Sequence, residues 1–169
     1  MRNMTALVKP ASSLCNLKCS YCFYCDEAEK REKNPNRIMT ADTAENLIRK
    51  MFDFGGENSV LTFMFQGGEP LIAGLDFFRN FVETAEKLKT EGSAINYTLQ
   101  TNGTLITEEF CGFFKENNFL IGVSLDGEKP LHDKYRCESF DKAMSGINML
   151  KKHGVDFNIL SVITSKPDA

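Results

Sequence analysis

Three cysteines near the N-terminus have the spacing of metal ligands. Cys15, Cys19 and Cys22 form the pattern C-x3-C-x2-C, and offsets of four and three residues let thiolates converge where a loop makes turn-like or helical bends. Thiolates are soft ligands that suit iron-sulfur clusters or zinc. A [4Fe-4S] cube fully held by protein takes four cysteines, so three ligands would leave one iron open to a non-protein ligand.

Cys25 follows Cys22 by three residues and leaves two other kinds of site open. One is a structural zinc site with four thiolates, although such sites usually take two ligand pairs from separated segments. The other is a closed electron-transfer cluster, although the ferredoxin-like run has the spacings C-x2-C-x2-C-x3-C. The spacing favours an open cluster over both alternatives without excluding either.

The composition is typical of one globular domain with an ordinary core. The 169 residues are 42% hydrophobic and 25% charged, and the net charge is −3. Scattered Lys and Arg residues make no basic stripe, so we expect no nucleic-acid partner. No apolar run has the length of a signal peptide or a membrane span. We therefore expect the cytoplasm, where clustered cysteines stay reduced and indicate metal binding or catalysis.

Short apolar runs alternate with longer segments of helical period, which predicts an α/β fold of repeated βα units. A sheet of such units is either doubly wound or a barrel. The first helix has Thr40 as its predicted N-cap and a predicted buried face of Leu47, Ile48, Met51 and Phe54. The predicted strands are 4–8, 59–65, 94–99, 119–125 and 155–163, and the predicted helices are 41–54, 75–91, one after Thr107, and 140–153.

Polar and glycine-rich segments lie at the carboxyl ends of the predicted strands. They are residues 10–25, 66–70, 100–103 and 124–127. In both open sheets and barrels of parallel strands, ligands bind at the carboxyl ends of the strands. We therefore expect these segments to meet at one edge of the sheet and form the site there.

Together these segments resemble the radical S-adenosylmethionine (SAM) superfamily and, within it, the anaerobic sulfatase-maturating enzymes. The resemblance runs in order over nearly the whole chain. The cysteine motif with an aromatic residue before its last Cys, followed by Gly-Gly-Glu-Pro after the next strand, is specific for the superfamily. The matching segments are 9–13, 15–24, 65–70, 99–106, 124–127 and 132–136.

The resemblance implies two cofactors, a [4Fe-4S] cluster on Cys15, Cys19 and Cys22, and S-adenosyl-L-methionine chelated to the open iron. His132 and His153 have no partner that the sequence reveals and are assigned no chemical role. The implied contacts are Tyr21 at the adenine and Gly67, Gly68 and Glu69 at the methionine amino group. Ser124, at the end of the fourth strand, and Arg136, in the following loop, are the implied contacts of the ribose and the carboxylate.

The implied reaction is reductive cleavage of SAM to a 5′-deoxyadenosyl radical, which oxidises a Cys or Ser of a sulfatase to formylglycine. Flavodoxin or ferredoxin would donate the electron. The family's barrel continues beyond a fifth strand into a C-terminal region with auxiliary clusters and the proposed base. The expectation is therefore that residues 1–169 are an incomplete radical SAM core, a partial parallel (βα) barrel without that region.

Two other functions remain open. The chain could be a remnant that binds the cluster and SAM without peptide turnover. Alternatively, it could be a zinc-stabilised binding module with four cysteine ligands and no redox role.

Overall fold

A computed structural model describes residues 2–24 and 38–163 as an α/β fold. Five strands form one sheet, and each of the first four is followed by at least one helix. The strands are β1 (Asn3–Val8), β2 (Val60–Phe65), β3 (Ala94–Thr101), β4 (Leu120–Ser124) and β5 (Phe157–Leu160). The α-helices are α1 (Ala41–Gly55), α2 (Leu75–Leu88), α3 (Glu108–Glu116), α4 (Lys129–Tyr135) and α5 (Phe140–Lys152).

The strands lie in sequence order, β1-β2-β3-β4-β5, and every neighbouring pair is parallel. A doubly wound sheet reverses its order at a switch point, whereas a (βα) barrel adds each strand beside the previous one. The observed order is that of the barrel, so the predicted partial barrel of five strands is confirmed. Because the pairing is parallel, the loops after β1, β2, β3 and β4 all leave from one edge.

One face of the sheet packs on the helices through aromatic side chains. Phe63 and Phe65 of β2 each meet Phe81 of α2 edge-on, with ring centroids 5.0 Å apart. Tyr97 of β3 stacks on Phe119 at 5.0 Å. Buried aromatic rings bring large apolar areas out of water, so this layer stabilises the packing of the helices on the sheet.

The predicted buried face of α1 is correct at Ile48 and Met51 and wrong at Phe54, which is 73% exposed. Phe52 is buried instead. Residues on one helix face recur every three to four positions, and the stripe through Ile48 and Met51 continues to Phe52 and Gly55 rather than to Phe54. Thr40 caps this helix as predicted, with its hydroxyl accepting from the Thr43 amide.

Other differences from the predicted elements concern short segments. Helix α2 ends at Leu88 rather than 91, and β5 covers only Phe157–Leu160. A 3-10 turn at Pro70–Ala73 and helix α4 were not predicted, because elements of four and seven residues are too short for apolar periodicity to reveal. Within the described ranges, no helix has both the length and the apolar character that a bilayer crossing requires.

Candidate functional site

A pocket opens at the carboxyl edge of the sheet, where the loops after β1, β2 and β3 meet the end of β4 and the end of α4. It collects the predicted site residues, except Glu69, from four separate parts of the chain. Its lining is Cys15, Cys19, Tyr21, Cys22, Phe23, Tyr24, Gln66, Gly67, Gly68, Gln100, Thr101, Asn102, Ser124, Arg136 and Val162.

The three thiols share this pocket and are close enough to affect one another. Burial raises the pKa of Cys19 to about 11; the Arg136 guanidinium opposes the rise, and Cys15 and Cys22 add to it. Burial likewise raises the pKa of Cys15. Thiolates that repel one another at close range are stabilised by a shared cationic centre, which lowers thiol pKa values.

Three thiols that line one pocket suit the ligands of an iron-sulfur cluster. In the stretches that the structure describes, no three His, Cys, Asp or Glu side chains are grouped to hold one metal ion. An iron-sulfur cube binds each thiolate through a different iron, so its ligands need not converge on one point. Cys25, the possible fourth ligand, lies outside the described residues.

The cysteine loop is fixed by contacts with distant parts of the chain. Asn102, after β3, donates from Nδ2 to Asn16 Oδ1 at 2.9 Å. The Ser20 amide donates to the Tyr135 carbonyl at 2.9 Å, and the Lys18 amide donates to Cys137 Sγ at 3.3 Å. The positions of the thiols therefore depend on β3 and α4 as well as on the loop itself.

Gly67 and Gly68 allow the loop after β2 to lie against the start of the cysteine loop. A Cβ at position 68 would lie 2.0 Å from the carbonyl oxygen of Leu14, and one at position 67 would lie 2.9 Å from that of Ser12. Gly67 also has φ +109°, a conformation that side chains disfavour. Both glycines line the pocket while packing on protein backbone.

Glu69 lies beneath the pocket, only 1% exposed, with both carboxylate oxygens engaged by the protein. Oε1 accepts from the Leu71 amide at 3.0 Å and from Thr101 Oγ1 at 2.9 Å, and Oε2 accepts from the Asn102 amide at 2.8 Å. It therefore joins the ends of β2 and β3. Burial raises the pKa of Glu69 to about 7, against the opposing effect of these hydrogen bonds.

Substitution Glu69→Gln is expected to lower the unfolding free energy by about 2 kcal/mol. The new side-chain NH2 would face one of the three groups that donate hydrogen bonds to Glu69, and that hydrogen bond would be lost. Titration of the native Glu69 carboxyl makes the stability of the protein depend on pH. A folded-state pKa of about 7, raised from 4.5, makes the native state hold the proton more tightly, so stability falls as pH rises between these values. Urea unfolding of the metal-free protein across this pH range measures both effects.

The control for this prediction is Glu57→Gln, at an exposed position, which is expected to leave stability and its pH slope unchanged. A Glu69→Gln variant with the native slope would show that another group titrates in this range.

Asp126 is the main site residue to which sequence reasoning assigned no role. It is 2% exposed and accepts from Arg136 Nε at 2.7 Å, from the Tyr21 hydroxyl and from the Val162 amide at 3.0 Å. Burial opposes its ionisation, but the hydrogen bonds from Arg136 and Tyr21 prevail and hold the pKa of Asp126 below its ordinary value. Its signals in the sequence were its position directly after a predicted strand and its place in the family-matching segment 124–127.

Asp126 also fixes the orientation of two predicted cofactor contacts. The Arg136 guanidinium carbon lies 5.2 Å from the centroid of the Tyr21 ring, within the range of a cation–π contact. Arg136 lies between β4 and α5, in the connection where it was predicted, and is the C-cap residue of α4. Ser124 ends β4 and lines the same wall.

Curated relatives of the chain are about twice its length. A cysteine-type anaerobic sulfatase-maturating enzyme of Clostridium novyi is 45% identical over 168 residues, covering 96% of this chain and 44% of the relative. A serine-type enzyme of Bacteroides thetaiotaomicron is 42% identical, covering 93% and 39%. The chain thus spans less than half of each of these relatives.

Solved structures agree with the sequence comparison. Native anSMEcpe with bound AdoMet and Cp18Cys peptide superposes with a TM-score of 0.83 at 39% identity, over 94% of this chain and 43% of that one. The hydrogenase maturase HydG, at 14% identity and a TM-score of 0.66, shares the fold. The model of the radical SAM superfamily matches residues 10–167, and with that match over nearly its whole length the chain belongs to the radical SAM superfamily.

Proposed function

We propose that this chain holds a [4Fe-4S] cluster on Cys15, Cys19 and Cys22 and binds SAM beside it for reductive cleavage. The observation that carries the proposal is that these thiols line one pocket with Gly67, Gly68, Ser124 and Arg136. When bound, the cluster would supply one electron to the sulfonium of SAM, giving methionine and a 5′-deoxyadenosyl radical. AdoMet is the molecule bound in related structures.

The polar residues of the pocket have distinct tasks in this proposal. Arg136 presents a planar guanidinium, which suits the methionine carboxylate, and Asp126 keeps that group oriented and charged. Ser124 and Tyr21 provide contacts for the nucleoside portion. Glu69 acts mainly by fixing the loop of Gly67 and Gly68 to the end of β3, because both of its carboxylate oxygens already accept hydrogen bonds from the protein.

We further propose that the substrate is a sulfatase peptide, whose Cys or Ser becomes formylglycine. This rests on the names of the relatives and on the peptide bound in a related structure. Cysteine-type and serine-type relatives match at similar identity, so identity alone does not assign the target residue. Flavodoxin or ferredoxin is the proposed electron donor, and the cytoplasm, which keeps thiols reduced, the proposed compartment.

Residues 1–169 supply the cluster and SAM contacts in this proposal, while the base that completes peptide oxidation has no assigned residue here. The chain aligns with less than half of the whole maturases. Cleavage of SAM is therefore the activity proposed for this chain, and peptide oxidation is proposed for the full architecture that those relatives have.

Anaerobic reconstitution of the chain with iron and sulfide tests the proposal. We expect about four irons per chain, an EPR spectrum of the reduced protein that changes on adding SAM, and release of methionine and 5′-deoxyadenosine. Stoichiometric zinc with no response to SAM would overturn the proposal in favour of a zinc-binding module. Incubation with a sulfatase peptide, read by mass spectrometry, then separates an active maturase from a remnant that cleaves SAM alone.

A further inference from the structure

His132 of α4 is completely buried, at 0% exposure, yet it does not line the pocket. Both of its ring nitrogens have partners. The Asp126 amide donates to Nδ1 at 3.2 Å, and Nε2 lies 3.0 Å from Ser139 Oγ. Ser139 Oγ in turn donates to the Arg136 carbonyl at 2.6 Å. The ring therefore connects the backbones of the two residues that form the buried ion pair.

The partners determine the tautomer of His132. The Asp126 amide can only donate, so Nδ1 must accept and Nε2 must carry the proton. Nε2 then donates to Ser139, whose own proton is directed to Arg136. Burial lowers the pKa of His132, and the neighbouring Arg136 lowers it further, so the neutral ring that this chain of hydrogen bonds requires is the stable form.

We propose that His132 is a positioning residue, which holds the backbones of Asp126 and Arg136 so that their ion pair faces the SAM pocket. The inference rests on the proposed function of that pocket. Asp126 belongs to the turn after β4, whereas Arg136 follows α4, and without the ring their buried backbone groups would lose their shared connection. Loss of this connection leaves the guanidinium free to shift away from the pocket.

A position that served only core packing would tolerate an apolar ring of similar size. His132→Phe keeps the volume and the edge contact with Phe140, whose centroid lies 5.6 Å away, but removes both hydrogen bonds. We expect its affinity for SAM to be about tenfold weaker than native, with full iron content. His132→Asn retains an acceptor for the Asp126 amide and should recover most of the affinity, whereas His132→Gln, which retains only the donor to Ser139, should recover less.

Leu150→Val is the matched control, because Leu150 is equally buried on α5 but outside this network. It should lower thermal stability without changing SAM affinity. Native SAM affinity in His132→Phe would overturn the inference. If that variant does not fold, equal affinities of the Asn and Gln variants would overturn it.

Hydrogen exchange in the iron-free native protein separates this inference from the proposed function. The Asp126 amide should exchange slowly in the native chain and at least tenfold faster in His132→Gln, where no acceptor faces it. Failure of the native chain to bind SAM would count against the proposed function alone. Unchanged exchange at Asp126 would count against the role of His132 alone.

Discussion

Replacing Cys19 by Ala is expected to reduce the iron content of the reconstituted chain from about four atoms to nearly none. The substitution leaves two protein thiolates for a cluster that the proposal holds on three. SAM cleavage should fall to background with it. Because burial raises the pKa of Cys19 to about 11, the metal-free native chain holds a neutral thiol there, and Ala should not unfold it. Iron analysis and circular dichroism on the same sample check both expectations.

Two other cysteines provide controls for this experiment. Cys111 is buried in α3 and does not line the pocket, so Cys111→Ala should retain the cluster. Cys25→Ala should also retain it. Loss of iron in the Cys25 variant would move the site to the class with four protein ligands, which the spacing of the cysteines left open.

Gly68→Ala is expected to cost about 3 kcal/mol of unfolding free energy, at the upper end of the penalty for overpacking. The added Cβ would lie 2.0 Å from the Leu14 carbonyl oxygen and 2.6 Å from its carbon. Both are backbone atoms of the cysteine loop, which cannot rotate away as a side chain could. The loops would have to separate, so cluster binding should fall together with stability in urea unfolding and iron analysis.

Gly112→Ala provides the matched control on α3. Apart from the neighbouring residues and backbone of its own helix, no heavy atom lies within 4 Å of its added Cβ, and Ala favours a helix interior over Gly by about 1 kcal/mol. This variant should therefore be more stable than the native protein and bind the same amount of iron. If Gly68→Ala were as stable as Gly112→Ala, the close packing of the two loops would be refuted.

Most of the fold was predictable because its elements are long and regular. The five apolar runs and the four longer helices carry the periodicities that strands and helices impose. The choice of a barrel over a doubly wound sheet came from the family resemblance, and the observed strand order confirms it. Phe54 and α4 were not predictable in this way. The burial of one helix position depends on how the helix turns toward its neighbours, and a seven-residue helix beginning near Pro130 has little periodicity to detect.

The site was predictable as a set of residues but not as a set of contacts. Cys15 and Gly68 follow predicted strands and Ser124 lies near the end of one, and parallel pairing brings such positions to one edge. Whether a carboxylate faces ligand or protein depends on tertiary hydrogen bonds, which is why Glu69 was expected at the ligand and Asp126 received no role. His132 was left unassigned for the same reason.

The cysteine loop is held by residues that are made much later in synthesis. Lys18 and its partner Cys137 are separated by 119 positions, which at ~5–20 residues per second is roughly 6–24 s of translation. During that interval the three thiols leave the ribosome before β3, β4 and α4 exist to shape their loop. Cluster insertion into the folded pocket must therefore follow synthesis of the chain through Cys137, and the nascent thiols must stay reduced until then.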